Sequence, residues 1–173
     1  INSRLEDKEV YKASFPRVKI DILRRYQKLF IGIKMGYDNI SINQIVEKYT
    51  GINLKDLSEA EQIELLTNPS FTAKPEDFED DIVIDTIKNV YQLKTIQQRN
   101  GELSVNRYII SNSETIFDVL NVYALFKFCG YKDDEIKFDI MPLFETIRGL
   151  DGAENTMNKL YNLPIYAQHL ERR

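Results

Sequence analysis

The sequence has a single cysteine, Cys129, a single histidine, His169, and no apolar run approaching the roughly 18 residues that a membrane span requires. One cysteine forms no internal disulfide, and in its apolar surroundings Cys129 reads as a small buried thiol suited to a reducing cytoplasm. One histidine leaves no Cys/His metal pattern. No Cys, Ser or acidic partner stands at a telling spacing from His169, which is expected in a polar C-terminal helix. Glycine-rich phosphate loops are missing too. A basic patch is also lacking: 23 Lys and Arg are scattered among 27 Asp and Glu, for a formal charge of −4, which argues against a dedicated nucleic-acid binder. The pair Arg24 and Arg25 sits in an apolar segment, and Arg172 and Arg173 are expected to be a solvated helix end. The acidic run Glu76 to Asp81 lacks the glycine of a calcium loop and reads as a solvated helix start. Ile1 to Lys8 are too charged for a signal peptide, and Ile rather than Met at position 1 suggests a piece of a longer chain.

What is present is enough to fold. Of 173 residues, 43% are hydrophobic, so a core is available, and ten Tyr and nine Phe belong in it rather than on a base-stacking surface of an acidic protein. A piece of a larger protein would leave apolar patches exposed, which predicts oligomerisation or poor solubility.

Periodicity places the elements. Tyr11 to Phe30 has helical spacing with Pro16 near its start, though Val18 to Leu23 is also compatible with a strand. After a turn region at Gly32 to Asn39, Ser41 is a candidate N-cap for a helix carrying Ile42, Ile45, Val46 and Tyr49 and ending at Gly51. Ser58 and Glu61 have the capping-box spacing ahead of Ile63, Leu65 and Leu66, and Asn68-Pro69 ends that helix. A longer helix is predicted from about Asp80 to Gln98, with Ile84, Ile87, Tyr91 and Ile96 on one face and Asn100-Gly101 as its stop. Tyr108-Ile109-Ile110 then reads as a strand. Ser113 opens a helix with Ile116, Leu120, Tyr123, Leu125 and Phe128, closed by Gly130. Phe138 to Phe144 reads as a second buried strand with Pro142 near its end, and Asp151 as the cap of a helix holding Met157, Leu160 and Tyr161.

Strand, helix, strand, helix over Tyr108 to Tyr161 is the order of a parallel sheet with a crossover long enough to be made. The expected fold is mostly α with a few parallel β-strands, an incomplete piece of an α/β (TIM-type) barrel with extra helices. Residues 1–106 form its mainly helical segment and 107–173 a βαβα barrel segment of the same domain.

In such barrels catalytic groups sit where strands hand over to helices at their carboxyl ends. Glu145 follows Leu143-Phe144 at that place, and its carboxylate suits an oxygen ligand for Mg²⁺ or Mn²⁺; a loop salt bridge or a helix cap are the plainer roles. Ser111 leaves the first strand in the same way, either bonding a ligand or bonding backbone at the turn.

Arg107-Tyr108-Ile109-Ile110-Ser111-Asn112, Asp118-Val119-Leu120 and Met141-Pro142-Leu143-Phe144-Glu145-Thr146, followed by Leu150, Ala153, Met157, Leu160 and Tyr166, closely resemble phosphoenolpyruvate carboxylase. Val83-Ile84-Asp85-Thr86 resembles the family segment upstream, so the likeness runs roughly from Ile42 to Arg173. The resemblance implies a parent enzyme that joins bicarbonate to phosphoenolpyruvate, giving oxaloacetate and phosphate through carboxyphosphate and the enolate of pyruvate. It also implies that Glu145 binds the essential Mg²⁺ or Mn²⁺, while the second metal carboxylate, the catalytic Lys, the glycine-rich Arg loop and the catalytic His fall outside this chain. Where the family has Asp-Ile-Arg-Gln, with the Arg on the substrate phosphate, this chain has Asp21-Ile22-Leu23-Arg24, one position out of register, so Arg24 or Arg25 is the candidate. Where the family has two acidic residues soon after Glu-Thr, Arg148-Gly149 stand here. Implied partners are phosphoenolpyruvate, bicarbonate, the rest of the enzyme chain and further copies in a homo-oligomer, in the cytoplasm and with neither nucleic acid nor membrane. Two other readings are a non-catalytic helical interaction domain of the same descent and another phosphoenolpyruvate-using barrel.

Overall fold

The structure, a computed structural model, describes residues 37–173. Expectations for Tyr11 to Phe30, and for Arg24 and Arg25, lie outside the described residues.

Helix α1 (Tyr37–Thr50) buries Ile42, Ile45 and Val46 and stops at Gly51, whose φ of 70° is the left-handed step that closes many helices. Ser41 lies inside this helix rather than at its mouth, because the helix begins a turn earlier. Helix α2 (Glu59–Thr67) carries the predicted capping box: the Ser58 amide donates to Glu61 Oε2 at 2.9 Å and the Glu61 amide to Ser58 Oγ at 3.4 Å. Helix α3 (Asp81–Asn100) starts where Asp80 accepts from the Ile82 amide at 2.8 Å. Its buried face is Val83, Ile87, Val90 and Leu93, so the predicted stripe is rotated: Ile84, Tyr91 and Ile96 are half-buried at its margin.

Strand β1 (Arg107–Ile110) and strand β2 (Asp139–Pro142) pair in parallel, with Tyr108 opposite Ile140 and Ile110 opposite Pro142. Between them runs helix α4 (Ile116–Phe128), buried almost all round and packed against α1, α2, α3 and β2. Such a helix is a core, not an amphipathic surface element. Its Phe126 ring lies 4.8 Å from Phe138, 5.2 Å from Tyr131 and 5.8 Å from Tyr108, in stacked and edge-on geometries. Cys129 is buried beside it, and burial pushes its thiol up to about 12, which keeps it protonated. Helix α5 (Ile147–Tyr161) and helix α6 (Pro164–Glu171) complete the chain. The fold is therefore mostly helical with two parallel strands, as expected. Among the described residues no helix is long and apolar enough to cross a membrane.

Helix starts moved where several capping residues compete. Helix α4 begins after Thr115, not at Ser113: Asp118 Oδ2 accepts from the amides of Glu114 (3.0 Å) and Thr115 (2.8 Å), while Ser113 is buried in the turn before it. Helix α5 begins at Thr146, whose hydroxyl accepts from the Gly149 amide at 2.9 Å, which leaves Asp151 exposed inside the helix. The second strand is shorter than Phe138 to Phe144: its pairing with β1 runs from Asp139 to Pro142, opposite Arg107 to Ile110, and the chain then leaves for the loop that carries Glu145. Two further expectations fail, one in helix α6 and one just after it. His169 is only 1% exposed and its Nε2 donates to the Phe138 carbonyl at 2.9 Å. Arg173 is not solvated either: its side chain, 13% exposed, binds Glu102 at 2.7 Å and Asp139 at 2.8 Å.

Candidate metal-ligand site at the strand ends

The carboxyl ends of β1 and β2 are joined beyond the last ladder residues. The Leu143 amide donates to the Ile110 carbonyl at 2.8 Å, and the Ser113 amide donates back to the Leu143 carbonyl at 3.1 Å. The loop Leu143-Phe144-Glu145 is thus held to the turn that leaves β1. Within that turn Asn112 has φ 54°, a left-handed conformation that Asn tolerates better than most side-chain-bearing residues. The amide of Asn112 donates to Glu145 Oε1 at 3.0 Å, across 33 positions of chain.

Glu145 is exposed, and Oε2 takes part in no hydrogen bond or ion pair among the described residues. The carboxylate is therefore half anchored and half available at the mouth of the sheet, neither turned into a helical core nor far from a strand end. Among the described residues its partner is an uncharged amide rather than a cation, and the cap of α5 is the next residue, Thr146. An exposed, hard oxygen with a hydrogen-bonded twin fits what Mg²⁺ or Mn²⁺ asks of one ligand. Among the described residues no three His, Cys, Asp or Glu side chains cluster as a metal site, so such an ion would draw its other ligands from elsewhere. Ser111 stands in the same turn, half-buried.

Behind Glu145 a second set of contacts fixes the first turn of α5. Thr146 Oγ1 donates to Glu114 Oε1 at 3.1 Å, Arg148 Nε lies 3.2 Å from Glu114 Oε2, and Thr156 Oγ1 donates to the Glu114 carbonyl at 2.9 Å. Gly149 rests directly on the β1 turn: a methyl group there would stand 2.8 Å from the Ser113 carbonyl oxygen and 3.0 Å from Thr146 Oγ1. The Arg148-Gly149 pair, a departure from the family pattern by sequence, is thus accounted for locally. Arg148 answers the charge of Glu114, and residue 149 has no room for a side chain.

Sequence reasoning put Glu145 at a strand end, where it lies, and did not single out the Asn112 amide, Glu114 or the close approach at Gly149. The signal for Asn112 was a polar, left-handed-tolerant residue just past a strand. For Gly149 it was a glycine three residues after a Thr, a spacing at which a hydroxyl caps a helix. Arg24 and Arg25 lie outside the described residues. His169 is remote from the chemistry in kind: its ring packs on Tyr123 at 5.6 Å and Tyr166 at 6.4 Å, and burial lowers its pKa from the ordinary value.

Comparison with known proteins addresses the family of the chain. The sequence pattern of the family described as phosphoenolpyruvate carboxylase matches residues 38–173. Similar proteins include the phosphoenolpyruvate carboxylases of a Synechococcus species (37% identical over 89 residues, 50% of this chain and 8% of that one) and of Acinetobacter baumannii (44% over 79 residues, 46% and 8%). That of Corynebacterium diphtheriae is 33% identical over 132 residues, 71% of this chain and 14% of its own. The chain spans about a tenth of the length of these relatives. With the match running through both strands, their joined ends and Glu145, the chain belongs to the phosphoenolpyruvate carboxylase family.

Proposed function

We propose that this chain forms part of the active-site end of a phosphoenolpyruvate carboxylase, which joins bicarbonate to phosphoenolpyruvate and yields oxaloacetate and phosphate. The observation that carries the proposal is the placement of Glu145 at the carboxyl ends of two parallel strands, the end of α/β barrels where chemistry is done. The strands are read as neighbouring staves of a TIM-type barrel. Parallel sheets are normally covered on both faces. Here Met141 (43% exposed) and Leu143 (42%) leave apolar surface open on and after β2, and a recess of about 500 Å³ runs along that strand past Phe144 and Tyr166. The rest of the enzyme chain is the natural cover for it.

In this reading Glu145 provides one oxygen to Mg²⁺ or Mn²⁺. When bound, such an ion supplies Lewis-acid stabilisation of the negative charge that develops as the enolate forms, worth several kcal/mol in a preorganised site. The chain's own residues do the holding. The Asn112 amide keeps the carboxylate at the mouth of the sheet, and Thr146, Glu114 and Arg148 keep the loop behind it in place. Arg24 and Arg25 stay candidates for the substrate phosphate. The parent enzyme is taken to be a cytoplasmic homo-oligomer acting on small-molecule substrates.

The test is Glu145→Gln in the full-length enzyme. Turnover should fall about 100-fold or more, as for loss of other groups that hold transition-state charge, and metal dependence should weaken with it. Unchanged metal dependence and turnover would refute the proposal. A coupled assay for oxaloacetate should find no activity in the 173-residue chain alone.

A further inference from the structure

We infer that Asn112 is a positioning residue for Glu145, acting through its backbone amide and the left-handed turn that aims it. The inference rests on the reading of Glu145 as a metal ligand. Two successive amides of the β1 exit turn, those of Asn112 and Ser113, donate to the same stretch of the β2 loop, one to Glu145 Oε1 at 3.0 Å and the next to the Leu143 carbonyl at 3.1 Å. In an extended strand successive amides point to opposite sides, and φ 54° at Asn112 is the departure from extended backbone that turns both toward the β2 loop. Ser113 is locked there by burial and by its hydroxyl, which donates to the Ile110 carbonyl at 3.1 Å.

The consequence for an ion is geometric. The amide on Oε1 fixes one side of the carboxylate and leaves Oε2 without a partner among the described residues, so Oε2 is the oxygen that would face an ion. A free glutamate at the end of an exposed loop would sample many rotamers, and ordering it on binding would weaken the site. Metal-ligating carboxylates are commonly held this way by neighbouring groups, and loss of the holding group costs roughly ten- to a hundredfold in metal affinity. At position 112 the held property is a backbone angle, so the side chain matters only through the φ it permits. Glycine keeps the amide and reaches positive φ freely, alanine does so with strain, and a β-branched valine opposes it.

The experiment measures Mn²⁺ binding to the full-length enzyme by electron paramagnetic resonance, with thermal unfolding followed in parallel. Asn112→Gly should bind Mn²⁺ within about twofold of the parent, and Asn112→Val about tenfold or more weakly per folded molecule. Should the valine variant not fold, Asn112→Ala takes its place, with a smaller loss in the same direction. Equal Mn²⁺ affinity in the glycine and the valine or alanine variants, with Glu145→Gln still losing the ion, would overturn the role of Asn112 and leave Glu145 standing. Wild-type Mn²⁺ affinity in Glu145→Gln would overturn the ligand and with it this inference. A purely structural turn would lower the unfolding temperature of the valine variant without changing its Mn²⁺ affinity, which also sinks the idea.

Discussion

The surroundings of α4 and the joined ends of the two strands are held by different forces. Around α4 the contacts are apolar and aromatic: Phe126, Phe128, Leu120 and Leu125 are each 1% exposed or less, and rings from three other segments close on Phe126. At the strand ends Glu145 and Asn112 are exposed, and order comes from amides, hydroxyls and one backbone-on-backbone approach. Burial is non-directional and collective, whereas hydrogen bonds are directional and local. The core therefore sets whether the chain folds, and the strand ends set where one carboxylate points.

The comparison is most easily broken in the core. Phe126→Ala should cost about 3–5 kcal/mol, read from urea unfolding of this chain, and a loss below about 1 kcal/mol would show that α4 is not its centre. Gly149→Ala tests whether the strand ends carry structural weight of their own. The added methyl meets a carbonyl oxygen rather than a flexible side chain, so about 1–3 kcal/mol is expected, with the start of α5 displaced. No loss there would mean that the helix slides freely.

Acid sharpens the contrast further. His169 is neutral in the core: burial is the main reason its pKa is lowered, Arg172 and Arg173 add to it, and the Phe138 carbonyl and Asp139 oppose it. Its Nδ1 is buried with no partner among the described residues, and the rings of Tyr123 and Tyr166 lie beside it. The unfolded chain takes up the proton near pH 6.5 and the folded chain resists it. The stability contributed is thus complete above that pH and is lost as pH falls through and below it, by at most about 1.4 kcal/mol per pH unit. Glu102 and Glu135, lowered by Arg173 and by the Lys132 amide respectively, titrate only in more acidic solution. A flat urea midpoint between pH 7 and 5.5, or the same slope in His169→Gln, would show that the ring is not the responsible group. The smallest effect on stability is expected at the site itself. Glu145→Gln keeps an oxygen for the Asn112 amide and should change the unfolding free energy read from urea by less than about 0.5 kcal/mol, so a larger loss would make Glu145 a structural residue.

Much of this could be read beforehand where a local rule had no rival. Ser58 with Glu61, Asp80 ahead of a long apolar pattern, and the order of strands and helices from Tyr108 onward each left one reading. The starts of α4 and α5 did not, because Ser113, Thr115, Thr146 and Asp151 all belong to capping residue types, and the choice among them is made by tertiary contact. Thr146 prevails over Asp151 because Gly149 must lie against Ser113. His169 looked polar by the composition of its helix, yet Tyr166 and His169, three residues apart, form the buried edge of α6. The tether on Glu145 was invisible for a simpler reason: its donor is an amide, which every residue except proline carries.

Gly149 joins these threads. Side chains between a helix and a turn act as springs, taking up small displacements by changing rotamer. At this position there is no spring, since α5 sits on the peptide of Ser113 itself, one residue from the amide that grips Glu145. Whatever pushes α5 is therefore felt by the carboxylate at once, as a rigid lever passes motion across its pivot.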